Sequence, residues 1–234
     1  MNAFKMAAVE LVGVATILVT VPATAGAAAL PGNTIFAGYQ VLTPTPGTET
    51  SVQAQLTVPS LACTTTTSLM AAAIGVDSPD GSIAPGIEGF CSGTGPASYM
   101  AVYGSTSQTI AIAAGDKVRL YVTTTTSGSP FEWRTRVDDL TTGVQVSYTN
   151  KNKRSYTPSS VWVGVANALS VAHPLPDFGK IQWSNVEIDG SPLGAADSQG
   201  YDLVKNPNHP KLLALASPLS PAGGSFTNTW VRSS

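Results

Sequence analysis

Cysteine and histidine are scarce in this chain, at two residues each among 234, and charged side chains make up only 11% of it. Each scarcity excludes a class of chemistry. The histidines, His173 and His209, are each followed directly by proline (Pro174 and Pro210) and form no cluster with zinc-ligand spacing. A serine hydrolase needs an imidazole base between a nucleophile and an acid, and no Gly-x-Ser-x-Gly elbow occurs to present one. Basic residues are few and scattered, the densest run being Lys151-Asn152-Lys153-Arg154. That run suits a solvated turn, whereas nucleic acid demands many phosphate contacts. Gly-rich stretches such as Gly93-Thr94-Gly95 precede strands and turns, not helices, which argues against a phosphate cradle. No cofactor and no metal is implied.

Long apolar runs are missing too, once the first thirty residues are passed. The chain opens with Lys5, then an apolar stretch over residues 11–20, then Pro22 and the small residues Ala23-Thr24-Ala25-Gly26-Ala27. A charged start, a short apolar core and an Ala-x-Ala end describe a secretory signal peptide, cleaved after Ala25 or Ala27. The apolar core is about half of the ~20 residues a bilayer requires, so a membrane anchor is not expected. Residues 1–27 are therefore read as a signal peptide and 28–234 as a single domain, secreted or held at the cell surface, without a membrane span and monomeric. The net charge of −2 survives cleavage, because Lys5 and Glu10 leave together. In an oxidising compartment the two cysteines, Cys63 and Cys91, are expected to form one disulfide.

What the chain does have is one device repeated from Asn33 onward: five to eight residues rich in Val, Thr, Ile and Tyr that alternate in polarity, then a turn. Period 2 marks half-buried strands. Val52, Ala54, Leu56 and Val58 alternate with polar neighbours until Pro59 ends the run. Val118, Leu120 and Val122 do the same, and Phe131, Trp133, Thr135 and Val137 share one face. Further runs fall near 35–42, 69–76, 98–103, 109–113, 145–149, 160–166, 180–188, 211–216 and 225–232. Turn formers separate them, as at Ala114-Gly115-Asp116, Thr142-Gly143 and Asp189-Gly190. About a dozen short strands without an amphipathic helix predict an all-β fold, a sandwich of two antiparallel sheets.

Carboxylates are the one chemical class with enough members. Asp77, Asp80, Glu88, Asp177, Glu187 and Asp189 stand out. Asp77-Ser78-Pro79-Asp80-Gly81 reads as a turn ahead of a cation loop. Glu187 and Asp189 lie beside the Asp189-Gly190 turn and are expected to be solvated.

Several stretches, in order, resemble the glutamic peptidases (eqolisins) and their short bacterial secreted relatives. They are Phe36-Ala37-Gly38-Tyr39, Thr57-Val58-Pro59, Ile74-Gly75-Val76-Asp77, Asp139-Leu140-Thr141-Thr142-Gly143, Phe178-Gly179-Lys180-Ile181 and Asn185-Val186-Glu187-Ile188-Asp189-Gly190. Cys63, Cys91 and the segment 112–118 fit the same order. The resemblance implies a concanavalin-like (lectin-like) sandwich of two large sheets. It also implies an acid endopeptidase in which a glutamine and a glutamate activate water and stabilise the tetrahedral intermediate, a base and an oxyanion donor both being required. The glutamine position falls on Ala84, in Ala84-Pro85-Gly86-Ile87. The glutamate position falls on Val165, after Trp162-Val163-Gly164, and a further acidic position falls near Ala101. None of these side chains can take a proton or donate to an oxyanion. The expected function is a non-catalytic extracellular module binding peptide or glycan, with Tyr99, Tyr103 and Trp162 as groove aromatics. The alternative is an acid endopeptidase with relocated carboxylates, for which Glu88 and Asp77 are the candidates.

Overall fold

Alternating side chains turn one face of each strand inward and the other to solvent, and the structure is built almost wholly from such strands. It is a computed structural model describing residues 30–33, 35–42, 50–78, 81–103, 106–108, 110–125, 131–152, 158–166, 174–206 and 211–233. The signal-peptide segment, both histidines, Asp80 and the Lys153-Arg154 pair lie outside the described residues. In chain order the strands are β1 (Gly32–Asn33), β2 (Phe36–Leu42), β3 (Thr50–Thr57), β4 (Ser68–Ser78), β5 (Gly81–Ile83), β6 (Gly86–Cys91), β7 (Ser98–Tyr103) and β8 (Thr106–Gln108). They continue with β9 (Lys117–Thr125), β10 (Phe131–Asp139), β11 (Gln145–Asn152), β12 (Ser160–Ala166), β13 (Lys180–Ile188), β14 (Ser191–Pro192), β15 (Ser198–Val204), β16 (Leu212–Ala216) and β17 (Phe226–Trp230). Among the described residues no helix is long and apolar enough to cross a membrane.

Two layers result. Sheet A runs β11–β10–β9–β3–β13–β17–β16–β15, and sheet B runs β8–β7–β6–β4–β12–β2–β15. Strand β15 serves both: Ser198–Tyr201 pair with β2, and Leu203 and Val204 pair with β16. All these pairings are antiparallel; the short β1 lies parallel to β15. Between the layers sit Val52, Ala54, Leu56, Val118, Leu120 and Val122 from sheet A against Met70, Ala72, Ile74, Val76, Val161, Val163 and Val165 from sheet B. Each fully buried aliphatic side chain contributes about 1.5–3 kcal/mol. One polar group spans the interior: fully buried Asn228 accepts the Trp183 Nε1–H at 2.8 Å and donates to the Ala37 carbonyl of the other sheet at 3.2 Å.

The disulfide links Cys63, in the loop after β3, to Cys91 at the end of β6. The 109–113 run, expected as a strand, is corrected: β8 ends at Gln108, and residues 110–113 leave the sheet. Asp116 takes them out of register, its carboxylate accepting the Ala113 N–H at 2.8 Å and its own N–H bonding the Ala113 carbonyl.

In the centre of sheet B, Gly38 faces Gly164, and a Cβ on Gly164 would collide with the Ala37 carbonyl oxygen. Gly164→Ala is therefore expected to cost about 1–3 kcal/mol through overpacking, read as a lower denaturant midpoint with unchanged slope. Cys63→Ala/Cys91→Ala is expected to lower stability by roughly 3–4 kcal/mol, from loss of a closed loop of about 28 residues, with strand content at 20 °C retained by circular dichroism.

Candidate functional site

The family resemblance directs attention to sheet B, and its outer face follows from parity along each strand. With Ala37, Tyr39 and Val41 inward, β2 presents Phe36, Gly38 and Gln40 outward; with Val161, Val163 and Val165 inward, β12 presents Trp162 and Gly164. By the same rule β4 presents Leu69, Ala71, Ala73, Gly75 and Asp77, β6 presents Gly86 and Glu88, and β7 presents Met100 and Val102. Register aligns Tyr201, Gly38, Gly164, Ala73, Gly86 and Val102 in one row across the strands. From β2 to β6 this row holds nothing larger than a methyl group. A Cβ on Gly86 would lie 2.6 Å from that of Ala73, so the close strand approach admits nothing larger there. The result is a row of small residues about 14 Å long, three strand spacings, all four of them buried.

Taller side chains border it. On one side Gln40 and Trp162 lie in register, with the indole covering Gly75. On the other, Phe36, Ala166, Ala71, Glu88 and Met100 form the adjoining row. At the β2 end the rings of Phe36 and Trp162, from opposite borders, meet at 5.6 Å over the Gly38–Gly164 pair, and Phe36, 5% exposed, also packs on Tyr201 at 5.7 Å.

The sequence candidates separate on this frame. Val165 points into the core and is fully buried, as is Ala101, while Ala84 lies between β5 and β6. The expectation for Tyr99 and Tyr103 as groove aromatics is corrected by parity. Tyr103 is 3% exposed and inside the core, and Tyr99 packs against it with its hydroxyl donating to the Pro59 carbonyl at 2.7 Å. Burial raises the pKa of both phenols. Trp162 alone of the three lies on the outer face.

Asp77 is fully engaged: it accepts the Trp162 Nε1–H at 3.1 Å and the Ser160 hydroxyl at 3.0 Å, and Gln40 donates to that same hydroxyl at 3.0 Å. It orients the indole. Glu88, by contrast, sits half-buried between Ala71 and Met100, and desolvation raises its carboxyl above the ordinary glutamate range. The two carboxylates are not neighbours. Glu88 pairs in register with Ala71 on β4, and Asp77 lies six residues further along that strand, about 20 Å away. They cannot act on one scissile bond, and they are far beyond the ~5–5.5 Å of a retaining glycosidase pair.

A glutamine–glutamate pair does exist, on the opposite side of the molecule. Gln53 of β3 donates its Nε2–H to Glu187 of β13 at 2.5 Å, on the outer face of sheet A. A β-bulge makes the pair: between Ser184 and Glu187 strand β13 advances three residues while β3 advances two, with Asn185 at φ 49°. Sequence reasoning missed it because the bulge shifts register locally. Asp189 accepts the Ser51 N–H at 2.7 Å. The same face holds a cleft of about 580 Å³ lined by polar residues such as Gln55, Lys117 and Gln182 and by apolar ones such as Trp183, Pro218 and Phe226. Among the described residues no three His, Cys, Asp or Glu side chains converge as a metal site.

The profile of the Peptidase A4 family matches residues 34–218. The chain belongs to that family, the eqolisins. Its fold is that of scytalido-glutamic peptidase, solved with a peptide-based transition-state analogue, at 17% identity and a TM-score of 0.66, over 85% of this chain and 99% of that one. The eqolisin SCP-B, solved with the tripeptide Ala-Ile-His, matches at 17% identity and a TM-score of 0.67 over the same shares of the two chains. No curated protein gives a significant match to the sequence.

The raised pKa of Glu88 has a stability consequence. The folded state holds this proton more tightly than the unfolded chain, so stability falls as pH rises from the ordinary glutamate range through the folded value. Glu88→Gln is expected to stabilise the eqolisin at pH 7, by at most about 1 kcal/mol given solvent screening, and to make no difference at pH 3. Denaturant melts of both proteins at the two pH values check this.

Proposed function

We propose that this eqolisin is a secreted, non-catalytic module that holds extended peptide on the outer face of sheet B. The observation that carries the reading is the side chain at the position the resemblance assigns to the family's glutamate: Val165 is turned inward and fully buried, in a strand whose outward positions carry only Trp162, Gly164 and small residues. This face keeps a partly aromatic surface, and its one amide–acid group, Gln40–Ser160–Asp77, is closed on itself by hydrogen bonds rather than turned to a substrate. The solved relatives, caught with a peptide-based analogue and a tripeptide, favour peptide over glycan as the ligand class. Residues 1–27 are proposed to direct export and to be removed, leaving a monomer that works outside the cell or at its surface. The disulfide suits that compartment.

A second reading, an acid endopeptidase with relocated groups, draws on Glu88 as a half-buried carboxyl with a raised pKa and on the Gln53–Glu187 pair. Against it stand the ~20 Å between Glu88 and Asp77 and the closed Gln53–Glu187 bond. Incubation of the purified, disulfide-intact protein with denatured casein from pH 2 to 7 separates the readings. No cleavage at any pH is expected. Cleavage abolished in Glu88→Gln or in Glu187→Gln would establish the second reading and name its acid.

A further inference from the structure

The cleft on the outer face of sheet A is lined by charge of one sign only. Register sets Thr227 beside Gln182, Ser184 beside Gln55 and Thr57 beside Lys117, so β17, β13, β3 and β9 each turn polar side chains into it. Serines of the loop between β16 and β17 complete the lining. Lys117 is its charged residue, and no carboxylate lines it. The acids nearby are engaged elsewhere: Asp116 accepts the Ala113 N–H, Asp138 holds Arg119 and Arg136, and Glu187 accepts from Gln53. Lys117 is exposed and, among the described residues, takes part in no salt bridge.

The rest of the lining narrows the ligand. Its volume, about 580 Å³, is that of a small-molecule site. Leu56, Trp183 and Phe226 are buried core residues that close the floor, and of the apolar lining only Pro218 is exposed, so a purely apolar ligand gains little there. The side chains of Gln55, Gln182 and Ser184 make no hydrogen bond among the described residues, unlike Gln53 in the next row, which is closed on Glu187. Amides and hydroxyls both donate and accept, as the hydroxyls of a sugar do. A peptide backbone is served less well. Strands β3, β13 and β17 are each paired on both sides, so their main-chain groups are used within the sheet and no edge is open to an added strand. An ammonium without an acid beside it fits a carboxylate on the ligand.

We propose that this cleft is a second binding site and takes a sugar acid, a uronate unit of an oligosaccharide. The carboxylate meets the Lys117 ammonium, and the ring hydroxyls meet Gln55, Gln182 and Ser184. Arg119, in register with Gln55, is already held by Asp138, so Lys117 carries the selection for charge. The site lies on the opposite layer from the face assigned to peptide and does not depend on that assignment.

The probe is trigalacturonate at pH 7, compared with its methyl ester and with the acidic peptide acetyl-Glu-Ser-Glu-amide. Each is titrated by calorimetry and by the NMR shifts of the Gln55 and Gln182 side-chain amides, with the Trp162 indole N–H as the signal from the opposite layer. Trigalacturonate is expected to move both amides, to leave Trp162 in place, and to bind about tenfold more tightly than its ester. Lys117→Gln, shown folded by its NMR dispersion, is expected to abolish that preference, and Lys117→Arg to keep it. Absence of trigalacturonate binding overturns the site. Equal affinity of acid and ester, or a preference that persists in Lys117→Gln, overturns the role of Lys117. Acidic peptide bound as tightly as trigalacturonate overturns the sugar as ligand class. A shift of Trp162 with both amides unmoved puts the ligand on sheet B and overturns the assignment to this cleft.

Discussion

The close approach of β2 and β12 is the constraint on which the candidate site depends. Gly38 and Gly164 meet where neither can carry a side chain, and Ala73 and Gly86 extend that condition across two more strands. The row is low because the backbones leave no space above the ladder for anything larger. Parity then dictates the rest: fixing Gly164 outward places Val163 and Val165 in the core and Trp162 on the border of that row. The border aromatics owe their positions to Asp77 and to one another, with the indole held between a carboxylate and the bare backbone of Gly75.

A scaffold and a reaction make separate demands on a sequence. The sandwich core needs only apolar residues at alternate positions, a demand many sequences meet. Hydrolysis needs two specific polar groups within reach of one bond, a demand separate from that of the fold. A buried Val165 even favours the core, since an acid turned inward there would require a partner. On the proposed reading the outer face of sheet B serves recognition, its small residues flanked by aromatic rings at one end and by Glu88 at the other.

Much of the architecture was legible in the residues because alternation is a direct imprint of a one-sided core. Val52 to Leu56, Val118 to Val122 and Phe131 to Val137 lie as their spacing requires. Strands β6 and β15 were not legible as strands. Glycines at 86, 89 and 200 and the buried Asp202 interrupt their pattern, for reasons that only neighbouring strands supply: Gly200 lies under Tyr39, and Asp202 is satisfied by Ala216. The site was legible in part. Trp162 and Glu88 both lie on the outer face of sheet B, Glu88 having been read from the sequence only as a candidate acid. Tyr99 and Tyr103 were misplaced because an aromatic residue on an edge-proximal strand reads alike on either face, and only the positions of Ala101 and Ile87 decide which face is inward. The Gln53–Glu187 contact depends on a bulge, and a bulge at Asn185 leaves no mark in hydrophobic periodicity.

The sharing of β15 by both sheets bears on the order in which the molecule can be made. Strand β2, near the amino terminus, finds its neighbours in β12 and β15, and β3 finds one of its own in β13. Early-synthesised segments must therefore wait for residues more than a hundred positions later before either layer can close. Loop closure on that scale is slow, and a nascent chain has no stable place to stop on the way. The first strands of the chain thus complete their layers only when residues from its last quarter arrive, β15 closing both at once.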